Sequence, residues 1–338
     1  MRILMTCDPE IPVPPGKYGG VERLVSGLCQ EYQAMGHEVY LVANRRSTEP
    51  VKELFGWKSS HSRGIKNVLK NAFQLRQIVN KVNPDIIHSF SRLLYLYPMF
   101  LSGIKVPVLQ TYGRAISQKS TDMAIKICGK YIHFACCGAH MLNNIKKNGD
   151  WNIVYNFVDT YFFHYDVNVT KENYVVFLGR ICHQKGTRQA IEAAIKANIK
   201  IKIAGLKESP YFEENVMPFL DNPNVEFIGL VDDNQKLPFL QKAMGLLFPI
   251  NGPEAFGIVL AESFACGTPV IGFNRYSVPE IITPETGFIT ENVNEMADKI
   301  SELTKLDPEK ISEYAKNNFS RQVIASHYIS LFNQWIKQ

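Results

Sequence analysis

Residues 249–280, PINGPEAFGIVLAESFACGTPVIGFNRYSVPE, set a loop, a helix and a strand in succession. Apolar positions recur at helical spacing over 257–266, and 270–273 then reads as a strand. Glu254 and Glu262 stand eight positions apart, on either side of Phe256-Gly257, where the helix opens. Small residues there let the backbone approach phosphates closely, and a helix start offers unpaired N–H groups at a positive dipole end. A carboxylate on each side can accept hydrogen bonds from sugar hydroxyls, which carry donors that phosphates lack. The arrangement suits a nucleotide-sugar diphosphate.

The spacing disfavours glycoside hydrolysis. With 257–266 helical, eight steps of about 1.5 Å separate the two glutamate backbones by roughly 12 Å. A retaining glycosidase holds its carboxyl groups about 5–5.5 Å apart and an inverting one about 6.5–9.5 Å. Two contacts on one long ligand fit better than one catalytic pair. E-x7-E alone arises readily by chance, so the rest of the chain must carry the reading.

Strand and helix signals alternate along the chain, the mark of parallel sheets with crossover helices. Strands are expected at 3–7, 38–43, 85–89, 106–110 and in YIHFACC at 131–137, then at 174–178, 200–204, 225–228, 246–248 and 270–273. Helices are expected from Val21 to Tyr32, at 64–82, 93–101, 187–197 and 257–266, with a last one near 319–337. The fold class is α/β, with two doubly wound Rossmann-like sheets. Ligands of such sheets sit beyond the carboxyl ends of the strands, where the glycine motifs of this chain fall.

At 338 residues, 46% apolar and 20% charged, the chain is globular and long enough for two domains. No apolar run reaches the roughly 20 residues of a membrane span. Seven cysteines without a C-x-x-C pair read as reduced cytoplasmic thiols. His133, Cys136, Cys137 and His140 match no tetrahedral zinc spacing, and no metal site is expected. Residues 1–150 hold 20 Lys and Arg against 10 Asp and Glu, and the remainder 17 against 22. The basic excess lies largely between Arg45 and Lys81. It reads as a face for an anionic or lipid-linked acceptor, for an anionic membrane surface, or for solvent alone. Nucleic acid is disfavoured, since no nucleic-acid module accompanies the charge.

Residues 253–271, with Val278-Pro279-Glu280 and Thr286-Gly287-Phe288, closely resemble the donor-site signature of family 4 retaining glycosyltransferases of the GT-B fold. Gly19-Gly20-Val21-Glu22-Arg23 looks like that family's first glycine loop. Asn156-Phe157-Val158-Asp159 with Phe163 resembles its N-G-V-D hinge pattern, and Gly179-Arg180 through Lys185-Gly186 its G-R-…-K-G phosphate clamp. The resemblance implies two domains facing a central cleft, an acceptor side at 1–157 and a donor side at 158–318. It also implies that a C-terminal helix at about 319–338 crosses back to the first domain.

The resemblance also implies roles. Arg180 and Lys185 would neutralise the departing diphosphate, and Gly19, Gly20 and Gly179 would bring backbone against it. Glu254 would bind hydroxyls of the transferred sugar and Glu262 the ribose. Phe256, Gly257 and Ile258 would supply N–H groups, and the base would lie near Ile228 and Leu230. His88 ends a strand where many relatives carry H-x-H; here the sequence is His88-Ser89-Phe90. Either His88 takes the catalytic place, or Phe90 shapes the pocket and no histidine takes part. Arg114 is a further candidate.

The function implied is a metal-independent retaining transfer from a nucleoside-diphosphate sugar, UDP-sugar first, to an acceptor hydroxyl in glycan, polysaccharide or glycolipid synthesis. The nucleotide sugar is a co-substrate and no cofactor is expected. No Asp-x-Asp, the metal signature of the other common glycosyltransferase fold, occurs in the chain. A nucleotide-sugar epimerase of the same architecture and an inactive sugar-nucleotide-binding subunit remain as alternatives. The expected location is the cytoplasm, with peripheral contact to the membrane's cytoplasmic face.

Overall fold

A computed structural model describes every residue except Lys17, Tyr18, Asn144, Lys147 and Gln338. Gln338, the end of the expected C-terminal helix, thus lies outside the described residues. The chain divides into Met1–Tyr155 joined by the segment from Arg321 on, and Asn156–Ser320.

The first unit is built on seven parallel strands: β1 (Arg2–Thr6), β2 (Glu38–Ala43), β3 (Glu53–Gly56), β4 (Ile86–Ser89), β5 (Val108–Tyr112), β6 (Ile132–Cys136) and β7 (Asp150–Ile153). Their spatial order is β3-β2-β1-β4-β5-β6-β7. Leu4 lies opposite Tyr40 on one side and Ile87 on the other. Central strands such as β1 and β4 are almost wholly buried, and their apolar stretches Ile3–Met5 and Ile86-Ile87 follow from that. One core joins the sheet to the helices Ile65–Val82, Tyr97–Leu101 and Gln118–Cys128. Another packing layer pairs the helices Gly20–Ala34 and Arg321–Ile336. The last helix therefore returns to the first unit.

The second unit holds β8 (Tyr174–Leu178), β9 (Lys200–Ala204), β10 (Val225–Gly229), β11 (Gly245–Phe248), β12 (Val270–Phe273) and β13 (Gly287–Thr290), all parallel and ordered β10-β9-β8-β11-β12-β13. In both sheets the strand order reverses beside the unit's first strand, between β1 and β4 and between β8 and β11. Such reversals open a crevice at the strands' carboxyl ends.

Sequence patterning missed β3, β7 and β13, and all three are edge strands. Each has four residues, and β3 and β7 are only half-buried or exposed along their length, so no apolar run marks them. The tempting zinc cluster is ordinary core structure. His133 Nδ1 lies 2.7 Å from Asp150 Oδ2, and its ring stacks on Trp335 at 3.9 Å. All seven cysteines are buried and none forms a disulfide.

Candidate functional site

The reversal point of the second sheet carries Gly179, Arg180, Lys185 and Glu254 among the residues singled out by sequence. Gly179 and Arg180 follow β8, and the loop carrying Glu254 follows its neighbour β11. A single turn, His183–Lys185, and the helix Thr187–Lys196 come between. Two loops are stitched together here. The N–H groups of Asn251 and Gly252 both donate to the Gln184 carbonyl, at 2.8 and 3.1 Å. Gln184 Nε2 returns a bond to the Pro253 carbonyl at 2.7 Å, and Asn251 Nδ2 donates to the His183 carbonyl at 3.2 Å.

Gly186 makes that stitching possible. Its φ of +74° lies in the left-handed region, and a β-carbon on it would fall 1.8 Å from the Pro249 carbonyl oxygen. The loops can touch only because the side chain is missing. Their closeness sets the Lys185 ammonium on Glu254 Oε2, with both side chains largely buried at 21% and 17% exposure. Lys185 also stands 5.9 Å from the Phe248 ring centroid. The pair is a dense, partly dry concentration of charge at the mouth of the sheet.

The other expected residues have different company. Arg180 extends to Glu208, Nη1 to Oε1 at 2.7 Å, with both side chains about half exposed. Glu262 is buried on the helix Ile258–Ala265, and Lys236 Nζ reaches its Oε1 at 3.2 Å and Asp233 Oδ1 at 2.9 Å. Burial pushes the Lys236 pKa down, but Glu262 and Asp233 outweigh it and hold the ammonium above its usual value. Phe256 is a core side chain, packed edge-on against Phe319 at 5.5 Å, so only its backbone can serve a ligand. Gly257 caps the helix at φ +82°; the Leu260 N–H donates to the Gly257 carbonyl at 2.8 Å, and the Ile258 and Val259 N–H groups stand ahead of the first intrahelical bond. Ile228 and Leu230, flanking Gly229 at the end of β10, are 42% and 72% exposed. These are apolar surfaces at the sheet's carboxyl edge.

In the first unit Gly19 and Gly20 open the helix Gly20–Ala34 after β1, again at the reversal point. Space around Gly20 is open, while Gly19 lies tight against Glu22 and Pro15. Arg114 reaches Asp8 at 3.4 Å.

The family models settle what these loops belong to. Residues 163–318 match the model for glycosyl transferases group 1, and residues 18–162 the model for glycosyltransferase family 4. The chain belongs to the group 1, family 4 glycosyltransferases. The N-acetyl-alpha-D-glucosaminyl L-malate synthase of Bacillus anthracis is 24% identical over 299 residues, 77% of each chain. Among solved structures, a glycosyltransferase of Rickettsia africae superposes with a TM-score of 0.80 at 20% identity, over 100% of this chain and 99% of that one. The Anabaena protein HepE, solved with UDP and glucose, gives 0.74 at 15% identity over 99% and 100%. These likenesses are GT-B folds.

For this glycosyltransferase His88 requires a correction. It is wholly buried in the first unit, with no atom open to a substrate. Nδ1 lies 3.1 Å from Tyr32 Oη and Nε2 2.9 Å from Thr111 Oγ1, so both nitrogens are satisfied within the core. Phe90, Tyr328 and Phe332 close around the ring at 4.5, 4.6 and 5.4 Å. Burial lowers its pKa to about 3. The strand's carboxyl-end position suggested exposure; the returning C-terminal helix, distant in sequence, covers it.

The depressed pKa has a measurable sign. As pH falls, the unfolded chain takes up a proton near 6.5 while the native ring stays neutral until about 3. Stability should therefore fall between those limits, by about 2 kcal/mol at pH 5. All three tryptophans, Trp57, Trp151 and Trp335, lie in this unit, so urea unfolding followed by their fluorescence reports it. His88→Gln should remove that part of the pH dependence and leave turnover intact. An unchanged pH slope in the variant would refute the account.

Sequence reasoning missed Glu208 and Lys236, the partners of Arg180 and Glu262. Nothing local marks them, because each meets its partner from another loop or helix. Only the capping box of Asp232 and Gln235 announces the helix that carries Lys236.

Proposed function

We propose that this glycosyltransferase moves a sugar from a nucleoside-diphosphate sugar, UDP-sugar first, to an acceptor hydroxyl, with retention and without a metal. The observation that carries the reading is the Lys185–Glu254 pair at the reversal point of the second sheet. Lys185 and Arg180 meet the negative charge that grows on the diphosphate as its bond to the sugar C1 breaks. Glu254 then exchanges its ammonium partner for sugar hydroxyls. Glu262, held by Lys236, receives the ribose, and the base lies on Ile228 and Leu230. The acceptor oxygen bonds C1 on the face the diphosphate leaves, and its proton passes to the departing phosphate oxygen. Two cations and a helix start do here what a metal does elsewhere. UDP ranks first because HepE was solved with it; GDP and ADP follow.

Thermal-shift measurements with nucleoside diphosphates test the donor, since a ligand of the native state stabilises by RT ln(1 + [L]/Kd). UDP should raise the melting temperature, and donor turnover should persist at close to its full rate in excess EDTA. Loss of turnover on chelation, restored by Mg²⁺ or Mn²⁺, would overturn the metal-free reading.

The acceptor we assign to the glycan and glycolipid class, anionic or lipid-linked, with the enzyme working in the cytoplasm beside an anionic membrane. The helix Ile65–Val82 exposes Ile65, Leu69 and Phe73, each about a turn apart, beside the exposed Lys66 and Lys70. Apolar and basic groups on one helix face suit an anionic lipid surface. No helix among the described residues is long and apolar enough to cross a membrane. Lys66→Gln with Lys70→Gln should release the protein from phosphatidylserine liposomes, as should raised salt, because exposed charges are screened beyond about 8 Å. Donor affinity should stay put. Unchanged liposome binding would leave the basic face as a solvated surface.

A further inference from the structure

The carboxyl ends of β1, β2 and β3 enclose a cavity of about 420 Å³ that none of the donor residues lines. Trp57 backs the lining, fully buried and pinned by a bond from Nε1 to the Cys7 carbonyl at 2.7 Å. The wall carries Arg45 and Arg46, with the His61 imidazole also at the lining.

The two arginines are differently prepared. Arg45 Nε donates to the Trp57 carbonyl at 2.7 Å and Nη2 to the Lys58 carbonyl at 2.5 Å, which fixes the guanidinium while leaving N–H groups unspent. Arg46 is held by its backbone N–H, which donates to Asn44 Oδ1 at 2.8 Å; Asn44 itself donates to the Pro9 carbonyl. Neither guanidinium has a carboxylate partner among the described residues. Among the described residues the only carboxylate lining the cavity is Glu10, and its Oε1 already accepts the Ser62 N–H at 2.6 Å. Two arginines at one cavity, neither paired with a carboxylate among the described residues, make a recognition site for a planar or tetrahedral anion.

The geometry points to this cavity as an anion subsite that receives a phosphate or carboxylate group of the acceptor. The inference rests on the reading of the chain as a transferase to an anionic acceptor, and it deepens that reading by naming the group and the residues that hold it. Both phosphate and carboxylate fit the shared chemistry. Arg46 is the group to vary, since Arg45 also holds the chain at Trp57 and Lys58.

The test is calorimetric titration with inorganic phosphate and, separately, malonate. It is run on the full chain carrying Arg180→Gln and Lys185→Gln, so that phosphate cannot report on the proposed diphosphate clamp. Saturable binding of either probe is expected, weakened about tenfold or more by adding Arg46→Gln and largely kept by Arg46→Lys. Glu10→Gln removes the opposing charge and should tighten the same probe. A response to phosphate alone marks a phosphorylated acceptor, and a response to malonate alone a carboxylate. No saturable binding of either probe, or titrations with and without Arg46→Gln that coincide, overturns the assignment. Failure of UDP to bind the wild-type chain would sink the donor reading and leave this measurement unaffected.

Discussion

Replacing Lys185 with alanine is expected to lower kcat by about 10²–10³ while changing donor affinity much less. The reason is the stage at which its charge matters. Before reaction Lys185 already has a partner in Glu254, at 21% and 17% exposure, so the ground state is neutralised within the site. In the proposed reaction new negative charge appears on the leaving diphosphate as the sugar–phosphate bond breaks, and an ammonium at the loop's edge would gain most at that moment. Arg180→Ala should behave similarly. Arg180 is about half exposed on Glu208, so its cost should lie toward the lower end of the range. Steady-state kinetics with a saturating acceptor checks both. A near-native kcat with only KM raised would remove the two side chains from the bond-breaking step.

Gly186→Ala should be as damaging without touching a ligand. The added methyl would meet the Pro249 carbonyl oxygen at 1.8 Å, and alanine at φ +74° is strained in any case. The loop bearing Lys185 must then move off the loop bearing Glu254, breaking the bonds from Asn251 and Gly252 to the Gln184 carbonyl. A cost of about 3 kcal/mol is expected from strain and lost loop contacts together. Turnover should fall about 10²-fold, because a displacement of about 1 Å is enough to spoil a positioned charge. Thermal melting by circular dichroism and donor turnover both read the effect. A variant that melts and turns over like the parent would mean that the loops yield freely.

Legibility in the sequence followed burial. The sequence places β2, β8, β9 and β12 at their observed ends: β8 and β12 are buried on both faces and read as apolar runs, while β9 alternates half-buried lysines with buried isoleucines. The edge strands β3, β7 and β13 escaped because one flank and part of each face meet water, and water tolerates mixed composition. The glycine loops around Gly186 and Gly257 stood out in the sequence for a different reason. Gly186, Glu254 and Gly257 sit where backbone geometry or charge admits few residue types, so short motifs survive there. His88 misled because its accessibility depends on Tyr328 and Phe332, more than two hundred positions away. Long-range covering of this kind leaves no local trace. Lys236 and Glu208 were invisible on the same grounds, as surface-type residues whose meaning lies in a partner.

The C-terminal helix also dictates an order of assembly during synthesis. Residues 156–320 form a unit from one uninterrupted stretch, and it can finish as soon as it leaves the ribosome. The other unit starts first and finishes last. Until Tyr328 and Phe332 arrive, Tyr32, His88 and Phe90 face the solvent on an open side of the sheet. A chain ending before Arg321 would thus, once released, carry a completed second unit and an uncovered apolar face in the first. Folding factors would find that face throughout the making of the second unit, and proteolysis of such chains should begin there.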